Sequence, residues 1–456
     1  MEINHHMNSL NRWLEKSLKV RYVLLLSLVM FFLMVLIAGL IRHQYLKPFN
    51  SRIGRWIENI AGLPSNIKNS ISHLSNATPS FQIILNRFTN HYKSTSILNN
   101  NVDSNYLIQS RFDKSRNVNI IELVSLKKNE VIKEWIPDLK KVNLTIKITN
   151  SFFNIDNLDQ KTNRIFHPLL LADGSIIFNY FNGPTIKIDT TSNIVWIVNG
   201  VLHHSTESDA ENNLWSPSII EPNCIKDNLL KKIQDDAITQ ISPEGKILFQ
   251  RSIVQILVEN GYKGLLMGTG VFEEDPVHLN EIKPALYTTR YWQKGDLLIS
   301  LRNKSTVFLY RPSINKIIWL QTGPWLNQHC PDFVDSSKIS VFGNDVVRTP
   351  GSYDLIYDHN NIYIYDLATH TIDTSYNEMM RTADVRTLTE GRLKILPNKD
   401  VIIEESNYGR VLRANKKEVL WQRLNYVDSD SSHVNVGNWS RYLHRTGDCK
   451  FCLSEY

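Results

Sequence analysis

A chain of 456 residues with 42% hydrophobic and 21% charged residues has the make-up of a folded protein, which excludes wholesale disorder. Its formal net charge of +6 is a mild excess, and no long Lys/Arg run lies outside the flanks of an N-terminal apolar segment. Nucleic acid is therefore not an expected partner. The four cysteines are Cys224, Cys330, Cys449 and Cys452. Only the last two form a Cys-x-x-Cys pair, and no second pair completes a zinc ribbon, so a terminal disulfide or idle thiols are expected.

Residues 22–41 carry no charge, which matches the length of about 20 residues that spans a bilayer. The run is longer than the h-region of a cleavable signal peptide and lacks a clear cleavage site, so it reads as an uncleaved transmembrane anchor. Arg12, Lys16, Lys19 and Arg21 before it nearly balance Arg42, Lys47, Arg52 and Arg55 after it. A short tail, residues 1–21, is expected in the cytoplasm. The rest of this single-pass cell-membrane protein is expected on the periplasmic, extracytoplasmic side. Residues 51–76 look helical and amphipathic through Ile53, Trp56, Ile57 and Ile60, and Asn- and Ser-rich sequence follows. Residues 42–103 are read as a helical and polar stalk.

From residue 104 onward the chain repeats itself. Four segments share one plan: an apolar strand, a polar turn, a second strand, then a Trp. They end at Trp135, Trp196, Trp319 and Trp421, which lie 61, 123 and 102 residues apart. The second and third intervals are close to two units each, so repeats without a Trp are expected near residues 257 and 370, where strand-like sequence occurs. Six units of this size predict an all-β fold, a six-bladed β-propeller over residues 104–456, preceded by one N-terminal transmembrane helix.

The stretches after each Trp lead into the next inner strand and hold the candidate site. They supply His203 and His204, then His278 with Asn280, then Arg302, then His329. One histidine is usually structural, but histidines at comparable places in three repeats point to a shared site. Three imidazoles could hold a metal ion. Arg302 argues against a metal at that point, because a guanidinium has no lone pair and repels cations. Imidazoles with an Arg suit an oxyanion such as sulfate or phosphate.

These pieces resemble the bacterial arylsulfotransferases that use no nucleotide sulfate donor. The resemblance runs from about residue 173 to 421 and is carried by His203-His204, His278-x-Asn280, the run from Gly295 to Arg302, and Gln328-His329 followed by residues 340–344. It implies a six-bladed propeller, an exported location, and a histidine that is transiently sulfated. By that resemblance His329 is the nucleophile and His278 and Arg302 hold sulfuryl oxygens. One of His203 and His204 completes the set, with His203 preferred because His203-x-Ser205 parallels His278-x-Asn280, and Asn280 is a substrate-binding residue. Cys330 departs from the family's Asp after Gln-His.

The implied partners are a small aryl sulfate and a phenol, with the membrane engaged through residues 22–41. No P-loop occurs, and neither a metal nor a cofactor is expected. A non-catalytic propeller scaffold of the cell envelope would explain the repeats and the anchor but not the recurrent histidines or Arg302. A quinone-cofactor dehydrogenase is a further alternative, but the repeats lack its glycines and no adjacent Cys-Cys pair is present.

Overall fold

The computed structural model describes residues 20–37, 82–88, 104–148, 150, 158–223, 225, 233–268, 270, 273–349, 352–427, 430–447 and 451–455. The chain divides into two units, Met1–Thr78 and Pro79–Tyr456. In the first, Val20–Ile37 is a helix whose side chains are exposed all round, and it is long and apolar enough to cross a membrane. A signal sequence has the same character. Residues 38–41 of the expected span and the helix expected over residues 51–76 lie outside the described residues.

The second unit is built of antiparallel meanders. Tyr106–Asp113, Val118–Ser125 and Glu130–Trp135 pair in that order, and Arg441–Arg445, from the other end of the chain, pairs with the free edge of Tyr106–Asp113. The next sheet runs Ile165–Leu170, Ile176–Tyr180, Gly183–Ile188, Ile194–Leu202. Glu207–Ser208, Leu214–Ile219, Asp236–Ile241 and Ile247–Ser252 follow, joined to the preceding strand through Leu202 and Ser218. Then come Leu279–Pro284, Leu297–Leu301, Thr306–Arg311, Lys316–Thr322. After these come His329–Phe333, Lys338–Gly343, Asn361–Asp366, Thr371–Asp373, with the hairpin Val346–Thr349/Ser352–Leu355 inserted midway. The last sheet is Arg392–Ile395, Val401–Glu405, Arg410–Ala414, Val419–Leu424.

The second strands, such as Ile176–Tyr180, Leu297–Leu301 and Val401–Glu405, are buried along their whole length. They are rich in Ile, Val, Leu and Phe because both faces pack against neighbouring sheets. Apolar clusters bridge each sheet to the next. One of them joins Leu396, Ile402 and Trp421 of the last sheet to Leu107, Val124 and Tyr442 of the first.

The recurrent tryptophans have a packing reason. Each sits on the outer strand of its sheet and reaches toward the following one. Trp135 shares an apolar cluster with Ile165, Ile176 and Ile188 of the next sheet, Trp319 packs at a tilt on Tyr365 with centroids 5.0 Å apart, and Trp421 meets Tyr442. The indole of Trp196 donates to the Pro243 carbonyl at 3.0 Å and covers Gly245, where a Cβ would lie 2.7 Å from the ring. The two sheets without such a Trp carry Phe249 and Ile372 on the corresponding strands.

One boundary differs from the sequence expectation. Residues 82–88, placed by the sequence in the stalk of residues 42–103, belong with the sheets. Ile83–Leu85 pairs with Asp430–Asn435, and Phe88 is buried against Leu424 and Val434. Arg87 bonds Asp384 at 2.8 Å and Glu405 at 2.6 Å. Burial of two apolar side chains and a paired arginine outweighs the polar character of the flanking sequence.

The leading strands begin with a shared backbone device. His167, His204, His278, Cys330 and Trp439 all have left-handed φ values, between 48° and 61°. For a residue with a Cβ this costs roughly 1–3 kcal/mol, and such strain concentrates at functional sites.

Candidate active site

The left-handed turns bring histidines from three sheets together. The ring of His204 is the centre of the group: its centroid lies 5.1 Å from that of His278, 6.5 Å from His329 and 5.7 Å from the indole of Trp439. Phe166 and Phe181 also pack against it. The sequence comparison preferred His203 for this place. The structure puts His203 behind His204, with the two Nδ1 atoms 2.7 Å apart. The reason is the backbone at His204, whose φ of 55° breaks the strand alternation that the parallel with His278-x-Asn280 assumed.

His329 is fully buried, and its tautomer is set by its neighbour. Nδ1 lies 2.7 Å from Oδ1 of Asn344. The amide nitrogen of Asn344 is committed to the carbonyls of Thr387 and Glu390, each at 3.0 Å, so its oxygen must face the ring. Nδ1 of His329 therefore carries the proton, and Nε2 keeps a free lone pair. That Nε2 is buried and has no hydrogen-bond partner.

His278 is the member of the group open to solvent, and its Nδ1 donates to the Asp275 carboxylate at 2.5 Å. Arg302 is tied to it through the backbone, its N–H donating to the His278 carbonyl at 3.0 Å. Among the described residues no carboxylate pairs with the Arg302 guanidinium, and its buried Nε has no partner. By contrast, half-buried Arg164 pairs with Glu390, and the buried Arg392 and Arg410 pair with Glu281 and Glu405. A guanidinium without a carboxylate partner beside imidazoles can receive an anion.

The electrostatics keep the inner imidazoles neutral. Burial, reinforced by the positive charge of Arg302, holds His329 well below the usual histidine range. Burial and the surrounding histidines do the same for His204. Burial lowers His203 to about 3. A neutral imidazole is the form that can act as a nucleophile. Burial pushes Asp275 up, but its hydrogen bond and charge interaction with His278 outweigh this and leave it lowered.

The remaining expected residue, Asn280, is buried, and its amide donates to the Gln328 carbonyl at 2.8 Å. It ties the strand of His278 to the strand of His329, while its Oδ1 stays unpartnered. The Cys330 thiol is buried and donates to the Leu393 carbonyl at 3.2 Å, away from the His329 lone pair. Cys452 is disulfide-bonded, and Cys224 and Cys449 lie outside the described residues.

Sequence reasoning missed Asp275, Asn344 and Trp439. Asp275 lies three residues before His278, and Asn344 ends the Ser340-Val-Phe-Gly-Asn344 run, so both have a local sequence signal. Trp439 follows the last repeat and carried no signal. It is fully buried, 6.0 Å from His329 and 5.6 Å from His167.

Further along the leading strands lies a layer of buried charge. Glu207 meets Lys283 at 2.9 Å, Arg392 at 3.2 Å and Arg441 at 3.3 Å. Beyond it opens a cavity of about 920 Å³ lined by Leu169, Lys283, Asp332, Lys394 and Glu455 among others. The charge layer separates that cavity from the histidines at the strand starts.

No curated protein matches the chain. Among solved structures, a protein of unknown function from Bacteroides caccae is 13% identical, with a TM-score of 0.45, over 73% of this chain and 99% of that one. A streptogramin B lyase is 12% identical, with a TM-score of 0.34, over 68% of this chain and 74% of the other. The Dos1 propeller is 9% identical, with a TM-score of 0.37, over 81% and 85%. The arylsulfotransferase (ASST) family model matches residues 167–425, more than half of the chain, beginning at His167 and taking in His204, His278, Arg302, His329 and Asn344. The chain thus belongs to the arylsulfotransferase family.

Proposed function

We propose that the protein transfers a sulfuryl group from an aryl sulfate to a phenol through a sulfo-histidine at His329. The observation that carries this reading is the free, buried Nε2 of His329 together with the half-buried Arg302, which has no carboxylate partner among the described residues. In the first half, the Nε2 lone pair attacks sulfur, the S–O bond to the aryl group breaks, and the phenolate leaves with a proton from a neighbouring imidazole. Arg302 and His278 stabilise charge on the sulfuryl oxygens. In the second half, a phenolic acceptor gives its proton back, attacks the same sulfur and breaks the N–S bond.

In this reading the sheets are six blades. Pairing of Arg441–Arg445, from the end of the chain, with the first strand of the first sheet supports closure of the ring. The helix at the N-terminus holds the domain at the outer face of the cytoplasmic membrane, and the disulfide at Cys452 suits that oxidising side.

The test is transfer from 4-nitrophenyl sulfate to phenol by the purified protein, with mass spectrometry of the histidine peptides after donor alone. Release of nitrophenolate with +80 Da on the peptide holding His329 is expected (an approximate mass, about one sulfuryl group). No transfer, or a sulfated residue other than His329, overturns the reading.

A further inference from the structure

A histidine pair in sequence needs a reason for its second member. His204 packs its ring beside His278 and His329, and the ring of His203 lies against His204, with centroids 5.0 Å apart. It is buried behind His204, its Nδ1 2.7 Å from that of His204 and its Nε2 3.9 Å from Oδ1 of Asp236. That Nε2 has no hydrogen-bond partner. Asp236 is itself fully buried and accepts from the Leu279 backbone N–H at 2.7 Å and from Gln234 at 2.8 Å. An approach of about 1 Å, or one water, closes the gap between His203 and Asp236.

We propose that Asp236 and His203 form a buried relay that resupplies His204 with the proton it gives to the departing phenolate. This rests on the transfer reading above and names the acid that the reading leaves open. Between two imidazoles 2.7 Å apart, one Nδ1 carries the proton and the other accepts it. With the proton on His203, His204 presents Nε2–H to the site. As the aryl S–O bond breaks, that proton goes to the phenolate oxygen. The Nδ1 proton of His203 moves to Nδ1 of His204, and the Asp236 proton moves to Nε2 of His203. No imidazolate forms. The negative charge ends on Asp236, where two hydrogen bonds wait for it. The acceptor phenol reverses each move in the second half.

Two further observations favour this path over His278 as the acid. His278 has its Nδ1–H committed to the Asp275 carboxylate at 2.5 Å, which fixes its ring next to the sulfuryl oxygens. Among the described residues no carboxylate pairs with His204, so a proton it loses comes back through Nδ1. Burial and the Asp275 charge also raise Asp236 well above the usual carboxylate range, which favours its protonated form.

The experiment compares two donors that differ in leaving group. Nitrophenolate leaves without help, whereas phenolate from phenyl sulfate needs the proton. Rates are measured for the wild type, His203→Gln and Asp236→Asn with the same acceptor. The ratio of the 4-nitrophenyl sulfate rate to the phenyl sulfate rate should widen by about 10²-fold in both variants, the usual share of a general acid. Equal losses on both donors, or no loss on either, overturn the relay. If His203→Gln does not fold, Asp236→Asn, which keeps the shape of the side chain, decides alone. A wild type inactive on both donors overturns the transfer reading and the relay together. A wild type active on both with unchanged ratios in the variants overturns the relay alone.

Discussion

Asn344 holds His329 in one tautomer: Oδ1 sits 2.7 Å from Nδ1, and the amide nitrogen is anchored on two backbone carbonyls. Replacing Asn344 by Leu removes the acceptor and frees the ring to flip or to place its proton on Nε2. The turnover number should fall by roughly 10²–10⁴-fold, the scale seen when a catalytic histidine loses its orienting partner. The donor KM should change little, because Asn344 lies on the far side of the ring from Nε2. Steady-state kinetics on an aryl sulfate separate the two quantities.

Arg302 is expected to matter for rate and not for folding. Its guanidinium has no carboxylate partner among the described residues, so Arg302→Ala breaks no ion pair. The rate should drop by roughly 10²–10³-fold, the usual loss of one charge-stabilising donor. The melting temperature should not fall. His329→Ala should remove transfer altogether.

His329 should also make the fold sensitive to acid. Burial and Arg302 hold it neutral in the folded protein, while the unfolded chain protonates it near pH 6.5. Below that pH the unfolded state binds a proton that the folded state does not, so stability is lost as pH falls. His329→Asn removes this share. Between pH 6.5 and 5 the unfolding free energy of the wild type should fall more steeply than that of the variant, by up to about 1.4 kcal/mol per pH unit. Denaturant titrations at pH 7, 6 and 5 measure the difference, and parallel curves would count against a neutral buried His329.

Glu207 gathers Lys283, Arg392 and Arg441 from three different leading strands. Glu207→Gln leaves those cations buried without their shared anion. A loss of about 3–5 kcal/mol is expected, the range for breaking a buried pair on one side. Adding Lys283→Met should restore part of it. Urea midpoints of the single and double variants test this, and an unchanged midpoint for Glu207→Gln would show that the layer is not needed for stability.

Much of the architecture was legible because it repeats. The tryptophans at 135, 196, 319 and 421 recur because each sheet needs a large wedge against the next, and that demand leaves a periodic mark. His278 and His329 were legible for a related reason: they sit at the starts of successive leading strands, and short motifs surround them and Arg302, which follows the second strand of the His278 sheet. The apolar N-terminal run was legible from length and composition alone.

The tertiary structure decided what depends on groups distant in the chain or on a single backbone angle. Whether His203 or His204 faces the site turns on the left-handed φ at His204, which no local pattern signals. Asn344 and Asp275 carry ordinary polar side chains whose roles exist only through a partner ring. Trp439 and the strand at residues 83–85 come from outside the repeats, and only packing brings them to the sheets. Sequence alone determined the repeating strands and the chemistry available to them, because periodic burial is written locally. The selection of which nitrogen, which histidine and which orienting partner meet at one point is made by contacts across sheets, and those are written nowhere along the chain.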